Sequence, residues 1–233
     1  AITYTLSDGE GGSDTADLVI TVDPVNDAPV ASGTIADQSD DDAGVVAGVA
    51  TSSFFSDIDG DVLGYSASGL PAGLSIDPVT GVISGTIDNS ASQGGPASDG
   101  VYSVTVTADD GNGGTVDQTF TWTVANPAPV ANDDAASTDE DVAVSGNVIG
   151  SGGAGDVADS DADGDVLSVT TFVVAGDPAT YNAGDTATIA GVGTVLLASD
   201  GSYTFTPDAD WNGTVPAITY TLSDGEGGSD TAD

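Results

Sequence analysis

Thirty-eight acidic side chains stand in this chain without a single lysine, arginine or histidine, so none of its carboxylates can be neutralised by the chain itself. Two like charges about 4 Å apart repel by roughly 4 kcal/mol at an effective dielectric near 20. Folding a chain of formal charge −38 therefore needs counter-charge from outside. Remaining unfolded is not the way out. Hydrophobic residues make up 39% of the chain, with two Trp, six Tyr and five Phe, more apolar surface than a disordered acidic tail carries. Only three of the acids are glutamate, Glu10, Glu140 and Glu226. Aspartate suits tight loops that wrap a cation, whereas the solvating surface of a halophile would use glutamate as freely and spread it along element faces. With neither His nor Cys, the available ligands are hard oxygens, which favours calcium over zinc, copper or iron.

The same absences exclude whole classes of function. Nothing here can neutralise a phosphate, so nucleic acid is not a partner. Ser/His/Asp and Cys/His catalysis, lysine Schiff bases and a phosphate-binding lysine all lack their essential residue. A carboxylate pair acting on a glycoside is the one hydrolytic chemistry the composition allows, and with this density of Asp such pairs arise without a catalytic role; the reading is not an enzyme. Disulfides and lysine-based crosslinks are missing too, which leaves bound metal as the available staple. No run of about 18 apolar residues is present, so no membrane insertion is expected in this segment.

Residues 1–17, AITYTLSDGEGGSDTAD, return unchanged at residues 217–233. A repeat of that length and fidelity marks one period of a tandem array, and a period of 216 residues suits two domains of about 100 residues each. Two proline-bearing stretches, Asp23 to Val30 and Ala125 to Val130, align with each other and read as short stiff linkers. The expected division is residues 1–22 as closing strands of a preceding repeat, 23–30 as linker, 26–125 as a first domain and 126–233 as a second that lacks its last strand. That strand would resemble Leu18 to Val22 and would come from the next repeat in a continuous fibre, whereas in an isolated fragment the hairpin at residues 1–22 should fray.

Within both domains apolar and polar residues alternate. Tyr102, Val104, Val106 and Ala108, then Phe120, Trp122 and Val124, then Ile218, Tyr220 and Leu222 each share one face, the pattern of antiparallel sheets buried on one side. Asp-Gly-x-Gly-Gly turns at Asp110 and Asp224 join such runs. No amphipathic helix is visible. The fold class is all-β: two immunoglobulin-like or cadherin-like antiparallel β-sandwiches in tandem plus a terminal hairpin. Trp122 and Trp211 read as core, and Asp40-Asp41-Asp42 as a solvated loop, with extra metal as the alternative.

Each domain carries one dense aspartate loop, Asp57-Ile58-Asp59-Gly60-Asp61 and Asp159-Ser160-Asp161-Ala162-Asp163-Gly164-Asp165. Alternate acids around a turn glycine let several carboxylates converge on an ion that takes 6 to 8 oxygens. The EF-hand spacing is not met, and no helices flank the loops. In a sandwich these loops fall at the end where the linker enters. Asn26 and Asp27, Asp57, Asp59 and Asp61, and Asp109 and Asp110 should meet above the first domain. Asn126, Asn132 and Asp133, Asp159, Asp161, Asp163 and Asp165, and Asp224 should meet above the second. Asp8 is the copy of Asp224 in the first occurrence of the repeat.

Asn26-Asp27-Ala28-Pro29, the Asp57-x-Asp59-Gly-Asp61 loop and the Ala108-x-Asp110-Gly111 hairpin resemble the interdomain calcium motifs of cadherins. Leu70 to Ile76 and Thr80 to Thr86 make the first domain similar to the dystroglycan-type, Ig-like cadherin domain of bacterial surface proteins. Pro129 to Asp134, Asp161 to Asp165, Asp200 to Pro207, Trp211-Asn212-Gly213 and Tyr220 to Gly225 make the second resemble the tandem cadherin-like repeats of giant secreted adhesins. The resemblance implies secretion to the cell surface or matrix, calcium as cofactor, and neighbouring repeats of the same chain as partners. Pro127 replaces an acid of the cadherin linker, which implies fewer ions at the second junction than at the first. The function expected is a calcium-rigidified, non-catalytic extender. The alternatives are lateral self-association into an extracellular filament, sheath or surface layer, and a glycan- or protein-binding module, which would need a concave aromatic patch.

Overall fold

The computed structural model describes residues 1–153 and 155–233. Strands β1 (Ile2–Ser7) and β2 (Ser13–Leu18) form an antiparallel hairpin in which Ile2 faces Leu18 and Ser7 faces Ser13. It keeps its full register although every one of its residues is exposed. Its turn is closed by the Asp8 carboxylate, which accepts the N–H groups of Glu10 and Gly12, both at 2.8 Å.

A first sandwich follows, built from β3 (Val30–Ala31), β4 (Gln38–Asp41), β5 (Val45–Ala50), β6 (Phe55–Ser56), β7 (Gly64–Ser68), β8 (Leu74–Ile76), β9 (Val82–Thr86), β10 (Val101–Asp109) and β11 (Thr115–Ala125). One sheet runs β4-β11-β10-β7 and the facing one β5-β9-β8, with β3 and β6 paired apart. Val104, Val106 and Ala108 of β10 and Phe120, Trp122 and Val124 of β11 point inward against Ile83 and Ile87, because side chains alternate across a strand. The far half of β11 lies parallel to β4, Trp122 beside Gln38 and Ala125 beside Asp41.

This pairing corrects the reading of Asp40 to Asp42 as a solvated loop. Asp40 and Asp41 lie on β4, and the Trp122 indole N–H, buried in the core, finds its acceptor in Asp40 Oδ2 at 3.0 Å. A buried indole donor left unpaired would cost about 1–3 kcal/mol, so this acid is fixed by the core. Asp42 is only 4% exposed and donates its N–H to Ala125 O at 2.9 Å, beside the exit of the domain.

The second sandwich comprises β12 (Val144–Asn147), β13 (Ser168–Val174), β14 (Thr180–Asn182), β15 (Thr186–Ile189), β16 (Gly193–Leu197), β17 (Ser202–Pro207), β18 (Ile218–Ser223) and β19 (Ser229–Ala232). Its sheets are β12-β17-β16-β15 and β14-β13-β18-β19. Val169, Phe172, Leu197, Tyr220 and Leu222 form its centre, with Trp211 packed at the margin. Among the described residues there is no α-helix, only two single 3-10 turns at Ser52–Phe54 and Ala91–Gln93, and none is long and apolar enough to cross a membrane.

The repeated segment is thus seen in two settings. Tyr220 faces Ala232 and Ser223 faces Ser229, the register of Tyr4 with Ala16 and Ser7 with Ser13. Tyr220 is 1% exposed in the core of the second domain, and Tyr4 is 53% exposed. Local sequence alone sets the hairpin; packing sets its burial.

Candidate metal centres

The loop between β6 and β7 brings Asp57, Asp59 and Asp61 together, one carboxylate oxygen of each lying within 4.8 Å of the others. The loop closes on itself because Asp57 Oδ1 accepts the N–H groups of Asp59 at 2.8 Å and Asp61 at 3.3 Å. Gly60 sits at φ +81°, a conformation that glycine adopts without strain. The linker and the β10–β11 turn reach the same place. Asp27 N–H donates to Asp59 Oδ2 at 2.7 Å, Asn112 Nδ2 to Asp61 Oδ2 at 2.8 Å, and Asn26 Nδ2 to Asp110 Oδ2 at 3.0 Å. Asp110 Oδ1 accepts the N–H groups of Asn112 and Gly114. The Asn26 amide and these backbone donors hold Asp110 below the usual carboxylate range. Asp109 stands beside it, accepting Gly111 N–H at 2.7 Å.

The loop before β13 repeats the device. Asp161, Asp163 and Asp165 also bring oxygens within 4.8 Å of one another, and Asp161 Oδ1 accepts the N–H groups of Asp163, Gly164 and Asp165 at 3.1, 3.1 and 3.2 Å. Gly164 has φ +89°, as Gly60 has its positive φ. From the linker Asn126 Nδ2 reaches Asp224 Oδ2 at 2.8 Å. Asp224 is buried and caps its own turn through Glu226 and Gly228 N–H. A Cβ at Gly228 would run into the Asp224 carboxylate and Pro129, so the turn glycine is what lets linker and carboxylate close together.

Asn132, Asp133 and Asp159 are engaged elsewhere. Asp159 Oδ1 accepts Asn132 N–H at 2.8 Å, and both its oxygens take the Tyr220 hydroxyl, at 3.1 and 3.0 Å. Asn132 donates its side chain to Ala158 O, and Asp133 Oδ1 accepts Asp233 N–H at 3.1 Å. Burial, then the hydrogen bond to Asp159, raises the Tyr220 hydroxyl well above its ordinary value, so it stays a donor. This group ties the linker to the core of its own domain. Asp8 lies in the free hairpin, held below the usual carboxylate range by its bonds from Glu10 and Gly12.

Two further acids lie near the second centre: Glu226, which the residue pattern did not single out, and Asp42, from the acidic run read as a loop or extra metal ligand. Asp42, at the end of the first domain, has Oδ1 on Ser92 N–H at 2.9 Å while Oδ2 is shielded and has no partner. Glu226, in the β18–β19 turn, has Oε2 shielded and unpaired, and its backbone carbonyl accepts Gln93 Nε2 of the first domain at 2.8 Å. Burial raises the Glu226 pKa, and the charges of Asp165, Asp42, Asp224 and Asp88 add to it. Asp165 is raised by burial and by Asp161, Asp224 and Asp42. Carboxylates from both domains therefore feel one another's charge across the linker. Position could have pointed to Asp42, since it directly follows β4, the strand that runs beside β11, and so stands next to the linker.

Shielded oxygens without a donor decide whether a cation fits. In this region they are Asp42 Oδ2, Asn126 Oδ1, Asp161 Oδ2, both oxygens of Asp163, Asp165 Oδ2 and Glu226 Oε2. All are acceptors, and a shielded acceptor without a partner costs about 1–3 kcal/mol, more when charged. Hard oxygens in this number suit calcium. In the first centre only Asp57 Oδ2 is shielded and unpaired. Burial, with the close carboxylates of Asp161 and Asp165, pushes Asp163 up to about 7. Burial works against ionising Asp161 as well, but its bonds from Asp163, Asp165 and Gly164 hold it below the usual range. The linkage has a definite sign: without metal, Asp163 contributes stability that is full below the unfolded pKa near 3.8 and is lost as pH rises through about 7. A cation needs the deprotonated form and reverses that trend.

Comparison with known proteins places both halves. Residues 28–125 match the family described as Putative Ig domain, and residues 126–233 the family described as Bacterial cadherin-like domain. No curated protein gives a match. Among solved structures, Drosophila N-cadherin EC1-4 is 15% identical, with 89% of this chain and 48% of that chain covered at a TM-score of 0.39. Human protocadherin-24 EC1-2 is 21% identical over 85% of this chain and 86% of that one, at 0.36. The endo-fucoidan hydrolase MfFcnA4 is 18% identical, covering all of this chain and 33% of its own, at 0.39. Taken together, the two family matches make this chain a Putative Ig domain followed by a bacterial cadherin-like domain.

Proposed function

We propose that this chain is an extender segment of a large extracellular protein, in which calcium held between consecutive sandwiches turns a flexible string of domains into a stiff rod. The observation that carries this reading is the set of donor-free oxygens at the linker, supplied by Asp42 of the first domain, Asn126 of the linker, and Asp161, Asp163, Asp165 and Glu226 of the second. A cation shared by both domains and the linker removes their repulsion and fixes their relative angle in one step. Family membership supports the setting, since Ig-like and cadherin-like repeats are typical of extracellular structural and adhesive modules. Composition supports the non-catalytic character, because the His, Cys and Lys that serve most nucleophilic and acid–base chemistry at neutral pH are missing. Lacking Lys and Arg, the chain also offers no cleavage site to trypsin-like proteases.

Small-angle scattering of the chain tests rigidity. With calcium the distribution of interatomic distances should show two resolved maxima, one within and one between domains. With a chelator the second should broaden and move inward. Identical curves in the two conditions would contradict a clamping role.

A further inference from the structure

The short 3-10 turn Ala91–Gln93 of the first domain touches one acid on each side of the linker. On its inner side the buried Ser92 donates its N–H to Asp42 Oδ1 at 2.9 Å. On its outer side the exposed Gln93 donates from Nε2 to Glu226 O, in the β18–β19 turn of the second domain, at 2.8 Å. Among the described residues this is the one hydrogen bond that runs directly from the first domain to the second. Asp42 and Glu226 are the two acids that approach the second centre from outside its aspartate loop, and Asp42 Oδ2 and Glu226 Oε2 are shielded with no donor. The turn therefore holds both acids by bonds that leave the shielded oxygen of each free.

The first domain anchors this turn firmly. Its Ala91 carbonyl accepts the Tyr102 hydroxyl at 2.6 Å, and Tyr102 belongs to the core. Gly94 N–H closes the turn on Ala91 O at 2.9 Å, and a Cβ at Gly94 would run into the Tyr102 hydroxyl. Gly100 N–H returns to Gly94 O at 3.1 Å, and Val124 N–H, on the last strand before the linker, bonds Gly100 O at 2.8 Å. Gln93 Nε2 also rests on Ser92 Oγ at 3.4 Å. The side chain that reaches the second domain thus stands on a fixed base, as a group that orients a ligand must.

We infer that Gln93 is a positioning residue of the second cation centre: its bond to Glu226 O sets the β18–β19 turn so that Glu226 Oε2 and Asp42 Oδ2 converge from the two domains on one ion. This role rests on the calcium reading above and adds to it the element that fixes where the two outer ligands meet. Ligands that must be drawn together at the moment of binding weaken it, because their ordering and mutual repulsion then oppose the cation. Gln93 does that ordering beforehand. An amide suits the task here, since a carboxylate at this place would add repulsion and the chain has no cationic side chain to offer.

Calcium calorimetry on the full chain, with wild type, Gln93→Ala, Glu226→Gln and the double variant, tests this. Gln93→Ala should bind calcium about three- to tenfold more weakly, the range that one hydrogen bond commands. Glu226→Gln keeps the backbone carbonyl that Gln93 holds but removes the charge, so it should weaken binding as well, and adding Gln93→Ala to it should cost little more. In chelator the melting curve of Gln93→Ala should match that of wild type, because the side chain is exposed and belongs to neither core. Equal affinities in wild type and Gln93→Ala, or losses that simply add in the double variant, would overturn the positioning role and leave the calcium reading in place. A wild type that takes up no calcium would overturn both.

Discussion

Chelating divalent cations should lower the melting midpoint of this chain by about 15–30 °C. The expectation follows from linkage: a ligand that binds only the folded state contributes about 4 kcal/mol per site when present at a thousand times its dissociation constant. One kcal/mol moves the midpoint of a domain of this size by roughly 4–8 °C. The structure leaves no substitute for the cation, because the carboxylates of Asp161, Asp163 and Asp165 converge in a chain without one cationic side chain. Calorimetry in calcium and in chelator, at the same ionic strength, separates specific binding from simple screening. Monovalent salt alone should recover only a small part of the loss.

Leu222→Ala should cost about 2–5 kcal/mol, the usual range for a buried leucine, while Leu6→Ala should stay within about 0.5 kcal/mol, as for exposed sites. Both residues occupy the same place in an identical 17-residue segment and face the same partner, Asp230 and Asp14 respectively. Leu222 is fully buried and Leu6 is 69% exposed. Neighbouring sequence, strand propensity and register are therefore held constant, and the difference measures packing alone. Chemical denaturation of the two variants gives both numbers. Equal losses would mean that the hairpin at residues 1–17 packs against something in solution.

Much of this architecture could be read from residue order. Strand alternation placed Tyr102 to Ala108 and Phe120 to Val124 in the core because period two is a property of the strand itself. Both aspartate loops were legible for a similar reason: their closure depends on Asp57 and Asp161 bonding backbone two to four residues on. The linker contacts of Asn26 with Asp110 and of Asn126 with Asp224 followed from sandwich topology. What escaped the residue pattern depended on partners far away in sequence. Asp40 looks like part of a solvated acidic run until Trp122, 82 positions on, needs an acceptor. Asp42 and Glu226 come from different domains, and no local spacing relates them. Asp159 sits two residues before Asp161, yet Tyr220 takes both its oxygens, which only the packed core could decide.

Calcium titration by calorimetry reaches the central claim most directly, performed on the full chain and on Asp163→Asn at neutral pH and again in mild acid. Expected is saturable binding that weakens by about tenfold per pH unit below roughly 7, as a proton competes for Asp163, and that falls sharply in the variant. Absence of binding heat at any pH, or isotherms that Asp163→Asn leaves unchanged, would show that metal does not hold these domains together.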